Sequence, residues 1–247
     1  MSETQRDKIG ALIVAAGRGT RAGLPYPKTL YPIQGKPILW RLLDVLRPHD
    51  PQPTVVVSPG GQADVAASLQ LGGYTAHLVV QPEPRGMGHA VSFFKDSPAY
   101  ACVEHVILVW GDIPFVQAET ISEMVRVHRT HVNDFTFVTR VVDEPYTIVT
   151  RDAQGQVRGV VETREAGSEK QAHGEREMGL FLFRKEAVMS LLQDELPGKW
   201  GGHTGEHGFL YLIGHLVAKG YKVEAIPVAT DMDLVSLNSL SDIRDYL

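Results

Sequence analysis

The chain has 247 residues, 43% of them apolar and 21% charged, with a formal net charge of −5. This suits a globular fold with a sizeable core, and the acidic balance argues against general nucleic-acid binding, which needs a basic face. The one cysteine, Cys102, excludes an intramolecular disulfide and a Cys-rich zinc site.

Residues 1–8 are polar, with neither the apolar core nor the cleavage pattern of a signal peptide. No apolar run approaches the length of a membrane span. The expected setting is the reducing cytoplasm, with no membrane partner.

The first informative stretch is Ile9–Ala15, which has no polar side chain and stops at Gly17 and Gly19. A continuous apolar run ended by a turn signal predicts a strand buried on both faces. Glycines let the backbone turn sharply and approach a ligand closely, and successive N–H groups there form a concavity for anions. Arg18, Arg21 and Lys28 add positive charge, and guanidinium forks match phosphate oxygens. The stretch predicts a phosphate-binding loop rather than a glycine turn with solvated basic residues.

Pro25 and Pro27 hold the next segment extended. Gly35-Lys36-Pro37 opens a predicted helix whose apolar face is Ile38, Leu39, Leu42, Leu43, Val45 and Leu46. A strand over 54–58, a helix over 62–71 stopped by Gly72-Gly73, and a strand over His77–Val80 follow. This alternation is the rhythm of a parallel α/β fold. The loop from Gln81 to Ala90 again lies between a strand and a helix, predicted over 88–97. In open α/β sheets ligands bind at the carboxyl ends of strands. Gly86 and Gly88 would admit a flat group there, or the prolines would simply stiffen a turn.

An apolar strand over 104–110 ends in Trp110-Gly111-Asp112, with Cys102 read as a small core residue at its start. An acid at the end of a buried strand is either a Mg²⁺ ligand or a turn-forming aspartate. A helix over 118–132 and a strand over 135–142 come next. Ile148-Val149-Thr150 and Val157–Glu162 flank a hairpin turn, which predicts a sheet turning antiparallel at this end. The charged stretch 162–176 is expected to be mobile. The remaining predictions are a strand over 177–183, a helix over Lys185–Gln193 and an amphipathic helix over 206–219 capped by Gly220. A strand over 223–228 and a closing helix over 236–247 end the chain. His89, His203, His207 and His215 share no ligand spacing and are read as loop or helix-surface residues. Without repeats or linkers, 1–247 reads as one domain.

Leu12-Ile13-Val14-Ala15-Ala16-Gly17-Arg18-Gly19-Thr20-Arg21, followed by Pro27-Lys28, resembles the signature of the sugar-phosphate nucleotidylyltransferases, or sugar nucleotide pyrophosphorylases. The nearest in texture are N-acetylglucosamine-1-phosphate uridylyltransferase domains, then glucose-1-phosphate thymidylyltransferases. Gln81 with Gly86-Met87-Gly88, Trp110-Gly111-Asp112, Gly159-Val160-Val161-Glu162, Met178-Gly179-Leu180 and Gly205-Glu206 resemble later motifs in the same order. The resemblance implies a Rossmann-like three-layer α/β/α domain of GT-A-like type, with a mixed, mostly parallel sheet. It implies transfer of a nucleotide from an NTP to a sugar 1-phosphate, with release of pyrophosphate and with Mg²⁺ as cofactor. Arg21, Lys28 and Asp112 would be catalytic. Ala15, Ala16, Gly17, Gly19, Thr20, Gln81, Gly86 and Gly88 would bind the nucleotide. Trp110, Glu162, Glu177, Gly179 and Glu206 would bind the acceptor. No covalent protein nucleophile is required, because phosphoryl chemistry of this kind runs on positioning and charge neutralisation.

Three positions depart from the pattern. Val235 falls where the second metal ligand is expected, so Asp233, or its neighbour Asp231, is taken as the replacement. Glu177 stands where the uridylyltransferases carry a sugar-binding Asn, which suits a cationic or strongly hydroxylated acceptor. Pro84 replaces a base-reading Gln, while Gln81 matches the thymidylyltransferase pattern, leaving the base open. Transfer to a non-sugar phosphate such as phosphocholine or a cofactor phosphate is the alternative activity, and a non-catalytic sensor the alternative class. Gly17-Arg18-Gly19-Thr20-Arg21-Ala22 also fits the dinucleotide fingerprint. That reading needs an acid after the second strand, where Ser58-Pro59-Gly60 stands.

Overall fold

The computed structural model describes residues 8–17, 19, 23–166 and 171–246. Arg18, Thr20 and Arg21 therefore lie outside the described residues. In chain order the elements are β1 (Ile9–Ala15), β2 (Pro32–Ile33), β3 (Lys36–Pro37), α1 (Ile38–Leu46), β4 (Thr54–Val57), α2 (Gln62–Gly72), β5 (His77–Val80), α3 (Met87–Ser92), β6 (His105–Trp110), α4 (Ala118–Thr130), β7 (Phe135–Asp143), β8 (Thr147–Arg151), β9 (Val157–Glu162), α5 (Thr163–Ala166), β10 (His173–Arg184), α6 (Lys185–Gln193), α7 (Tyr211–Ala218) and β11 (Val223–Ile226).

Seven strands form one sheet in the order β11-β7-β10-β6-β1-β4-β5. β1 pairs in parallel with β4 and β6, β4 with β5, and β11 with β7. β10 runs against both its neighbours, β6 and β7. The fold is thus α/β with a mostly parallel mixed sheet, as the sequence rhythm predicts.

The sheet is buried on both faces, and β1 shows why its apolar run is continuous. Ala11, Ile13 and Ala15 enter the core shared with α1, α2 and α4, while Leu12, Val14 and Ala16 enter the core shared with α3, α6 and α7. Alternate side chains of a strand point to opposite faces, so a strand covered on both sides can spare no position for a polar group. Buried leucine-sized side chains stabilise the fold by about 1.5–3 kcal/mol each. The second core adds an aromatic cluster of Phe135, Phe137, Phe181, Phe183 and Phe209, all essentially inaccessible.

Several predicted elements are corrected. β8 and β9 form a separate two-stranded sheet, and the antiparallel member of the main sheet is β10. Cys102 is exposed on a 3-10 turn, Pro98–Cys102, instead of entering the core. The strand begins only at His105, once Glu104 and His105 bond back to the carbonyl of Lys8. The amphipathic helix begins at Tyr211, not at 206, because the backbone of His207 and Gly208 is committed elsewhere. His207 N donates to Arg85 O at 2.7 Å and Gly208 N to Lys199 O at 2.8 Å. The closing segment is a 3-10 helix, Leu240–Tyr246. Residues 167–170 of the charged stretch lie outside the described residues, and its flanks form α5 and the start of β10. Among the described residues no helix is long and apolar enough to cross a membrane.

Candidate active site

A cavity of about 750 Å³ opens over the carboxyl ends of β1, β5 and β6. Val14, Ala16 and Gly17 reach it from β1, Gln81 and Gly86 from the loop after β5, and Trp110 from the end of β6. Thr147, Glu162 and Glu177 come from β8, β9 and β10, and Trp200, Glu206, His207, Phe209 and Tyr211 close the far side. This is the position at which open α/β sheets bind ligands.

Ala15 and Ala16 are buried and Gly17 is exposed. An added Cβ on Gly17 would meet nothing within 4 Å. The bare backbone therefore faces open space, as an anion cradle requires. Gly19 adopts φ of 70°, and a Cβ there would come within 2.8 Å of the Tyr26 carbonyl. Its side faces the chain rather than the cavity.

Gln81 is 4% exposed. Its backbone N–H extends the sheet to Val57 O at 2.8 Å. Its amide nitrogen lies 3.2 Å from Gly86 O and 3.0 Å from His89 Nδ1. Burial, then the charge of Arg85, holds the His89 pKa below its usual value, which suits Nδ1 as an acceptor.

Gly86 lines the cavity, and both Gly86 and Gly88 also make room for a neighbouring segment. A Cβ on Gly86 would lie 2.5 Å from the His207 carbonyl, and one on Gly88 would collide with the Gly208 carbonyl. Gly88 N donates to His207 O at 3.0 Å. The two glycines admit the 206–208 segment, and Gly88 does not line the cavity. His207 is accordingly buried rather than superficial, and burial pulls its pKa down to about 4.

Gly179, with φ of 80°, seats the Trp110 indole, since a Cβ would collide with the ring. Trp110 packs on Phe181 and Phe209 at ring separations of 5.0 and 5.7 Å. The same turn directs Glu177 inward at the irregularity in β10 between Glu177 and Phe181. Glu177 is 3% exposed; Oε2 accepts from Gly179 N at 2.5 Å, and Oε1 lies 3.5 Å from the Thr147 hydroxyl. Burial pushes its pKa up to about 7, against the opposing pull of the Gly179 N–H and Arg176.

Lys28 and Asp112 meet beside this cavity. Lys28 Nζ donates to Asp112 Oδ2 at 3.1 Å and to Leu237 O at 2.8 Å, and Leu237 N donates to Asp112 O at 2.8 Å. A second concavity of about 350 Å³ adjoins them, lined by Tyr146, Arg176 and residues of the 234–242 turn. Tyr146 lines both spaces. The Arg176 guanidinium stacks 4.1 Å from its ring and donates to its hydroxyl at 2.7 Å.

Asp233 does not join them. It is fully buried; Oδ1 accepts from Gln117 N at 2.8 Å, and Oδ2 from Thr120 Oγ1 at 2.9 Å, Thr230 N at 2.7 Å and Thr230 Oγ1 at 2.8 Å. It ties the last loop to the start of α4, with both carboxylate oxygens occupied by donors of the fold. The expectation of Asp233 as a metal ligand is corrected. Asn238, which the sequence reading passed over, lies in the turn that grips Asp112. Its signal was Ser239-Leu240-Ser241-Asp242, a capping-box pattern: Asn238 N and Ser239 N both donate to Asp242 Oδ2. That box fixes the backbone of the turn at Asn238, three residues beyond Val235. Tyr146, Arg176 and Trp200 were likewise missed, because nothing in their local sequence marks them.

The MobA-like NTP transferase domain family matches residues 11–177. The bifunctional protein GlmU of Stutzerimonas stutzeri is 28% identical over 238 residues, covering 93% of this chain and 49% of its own length. The bifunctional protein GlmU of Thermobifida fusca is 33% identical over 219 residues, covering 87% of this chain and 45% of its own. This chain thus spans about half the length of the curated relatives it matches. A Bacillus anthracis protein described as a glucose-1-phosphate thymidylyltransferase, solved with a sucrose, superposes with a TM-score of 0.75 at 16% identity. The match covers 96% of this chain and 93% of that one, a likeness of fold.

Proposed function

The chain belongs to the MobA-like NTP transferase domain family, and from that premise we propose that it transfers a nucleoside monophosphate from an NTP to a sugar 1-phosphate, as one nucleotidyltransferase domain over 1–247. An acceptor phosphate oxygen attacks the α-phosphorus in line, the bond to the β-phosphate oxygen breaks, and pyrophosphate leaves. The observation that carries this reading is the Lys28–Asp112 pair beside a cavity at the carboxyl ends of the parallel strands.

Lys28 neutralises charge as it develops at the α-phosphate, an effect that is strong in a site shielded from water. The backbone of Ala15, Ala16, Gly17 and Gly19, with Thr20 and Arg21, cradles the triphosphate. Gln81 and Gly86 face the base, with Gly88 seating the loop behind them. Glu162, Glu177 and Glu206 bind the acceptor against Trp110, which Gly179 holds in place.

The residues present fit Mg²⁺. Among the described residues no group of three His, Cys, Asp or Glu could cage a metal, and Mg²⁺ at nucleotide sites is held by one or two protein oxygens plus phosphates and water. Asp112, with the Asn238 amide on the neighbouring turn, offers that set. When bound, the ion would neutralise the leaving phosphates.

Pyrophosphate release over a grid of four NTPs, sugar 1-phosphates and phosphocholine tests the reading. Turnover that disappears in Asp112→Asn, with folding intact, supports it; silence across the grid with NTP binding retained favours a sensor. The buried carboxylate of Glu177 keeps a second reading in view, transfer to a non-sugar phosphate.

A further inference from the structure

Resting on the nucleotidyl-transfer reading, we propose that the acceptor is a phosphomonoester that also carries a positively charged nitrogen, which binds against Glu177. The main cavity is lined by Glu162, Glu165, Glu177 and Glu206, and among the described residues no lysine or arginine lines it. His207, the one described histidine there, is held neutral at ordinary pH by burial. The cationic groups sit elsewhere: Lys28 is bonded to Asp112, and Arg176 is turned onto Tyr146 in the adjoining concavity. The adjoining concavity carries Arg176 together with Asp242, so the excess of carboxylates belongs to the main cavity.

Glu177 is the sharpest part of this arrangement. It is deeply buried yet lines the cavity, and among the described residues its Oε1 meets only the Thr147 hydroxyl, at the 3.5 Å limit of a hydrogen bond. While ionised, a carboxylate accepts but does not donate, and in that state Glu177 needs a ligand that presents N–H, O–H or formal positive charge. A neutral sugar hydroxyl would leave the buried charge with only the Gly179 N–H, the Thr147 hydroxyl and the more distant Arg176 to offset it, which is costly in a shielded site. A cation would keep it ionised by direct attraction. Trp110, Trp200 and Tyr211 supply ring faces in the same cavity, and aromatic faces attract ammonium groups.

Charged nitrogen can reside on an amino sugar or on an alkyl ammonium, and one set of assays separates them. Pyrophosphate release is measured with Mg²⁺ and the preferred NTP against glucosamine 1-phosphate, phosphocholine and phosphoethanolamine. Glucose 1-phosphate and N-acetylglucosamine 1-phosphate are the neutral controls. The expected result is kcat/KM at least tenfold higher for a charged-nitrogen acceptor than for either neutral one. Glu177→Gln should cut that ratio at least tenfold without raising the KM for NTP; Glu206→Gln serves should the first variant fail to fold. Equal or better use of a neutral acceptor overturns the inference and leaves nucleotidyl transfer standing. No pyrophosphate from any acceptor, with NTP binding seen by calorimetry, overturns both.

Discussion

Lys28 and Asp112 stand 3.1 Å apart, and both are tied to Leu237, the lysine through its carbonyl and the aspartate through its N–H. Three distant parts of the chain therefore meet at one point: the segment after β1, the end of β6 and the turn after β11. The arrangement holds a cation and a carboxylate together where a phosphate and a metal ion would each displace one of them. Lys28→Met and Asp112→Asn should each lower kcat by about 10²–10³, the usual loss for a group aimed at developing charge. Stability should change by less than about 1 kcal/mol, because partly exposed ion pairs contribute little. Paired pyrophosphate assays and thermal melts check both halves, and an unfolded variant or an active one would count against the assignment.

Asp233 should behave in the opposite way. Asp233→Ala strips partners from the N–H groups of Gln117 and Thr230 and from two threonine hydroxyls. Buried donors left unsatisfied cost about 1–3 kcal/mol each before relaxation, so a loss of about 3 kcal/mol is expected in urea unfolding. The Mg²⁺ concentration for half-maximal activity should not move, since Asp233 is fully buried and both its oxygens are taken up by hydrogen bonds inside the fold. A shifted Mg²⁺ requirement in a stable variant would restore it as a ligand.

These two aspartates mark what can be read from sequence. The position of Asp112 just past a buried strand was legible, because a strand buried on both faces leaves a continuous apolar run in the sequence. The order of strands and helices up to β7, apart from the short β2–β3 ribbon, was legible for the same reason. Asp233 misled because a carboxylate in a loop looks alike whether it binds a cation or terminates a helix, and only the partners from residues 117 and 120 decide. The 206–210 segment misled because its apolar spacing fits a helix, while tertiary bonds to Arg85 and Lys199 take its backbone groups. Tyr146 and Arg176 gain meaning only from the pairing of β8 with β9 and the irregularity in β10, which are long-range facts.

Two glycines of the site separate recognition from packing. Gly17→Ala places a methyl in space that is empty in this structure, so stability should change by less than about 0.5 kcal/mol. The KM for NTP should rise at least tenfold, because that space is where the triphosphate would lie against bare backbone. Gly88→Ala instead drives a methyl into the Gly208 carbonyl. Overpacking of that kind costs about 1–3 kcal/mol, so its melting temperature should fall before any kinetic constant is interpretable. Differential scanning fluorimetry with NTP titrations distinguishes the two, and identical behaviour of both variants would refute the division.

The buried carboxyl of Glu177 gives the fold a pH signature. Its pKa is raised from 4.5 to about 7, chiefly by burial. Below pH 4.5 the group is neutral in both folded and unfolded chains and costs nothing. As pH rises from 4.5 to 7 the unfolded chain releases the proton while the folded one retains it, so stability falls. Above about pH 7 both are ionised and the penalty levels off at about 3 kcal/mol. Glu177→Gln keeps an oxygen for the Gly179 N–H and removes the titration. The variant should match the parent within about 1 kcal/mol at pH 5 and exceed it by about 2–3 kcal/mol at pH 8. Urea unfolding at both pH values reads the difference, and parallel stability curves would show that the carboxyl is ionised throughout. An acceptor bearing a charged nitrogen should erase the gap at pH 8, since it supplies the counter-charge the folded chain lacks there.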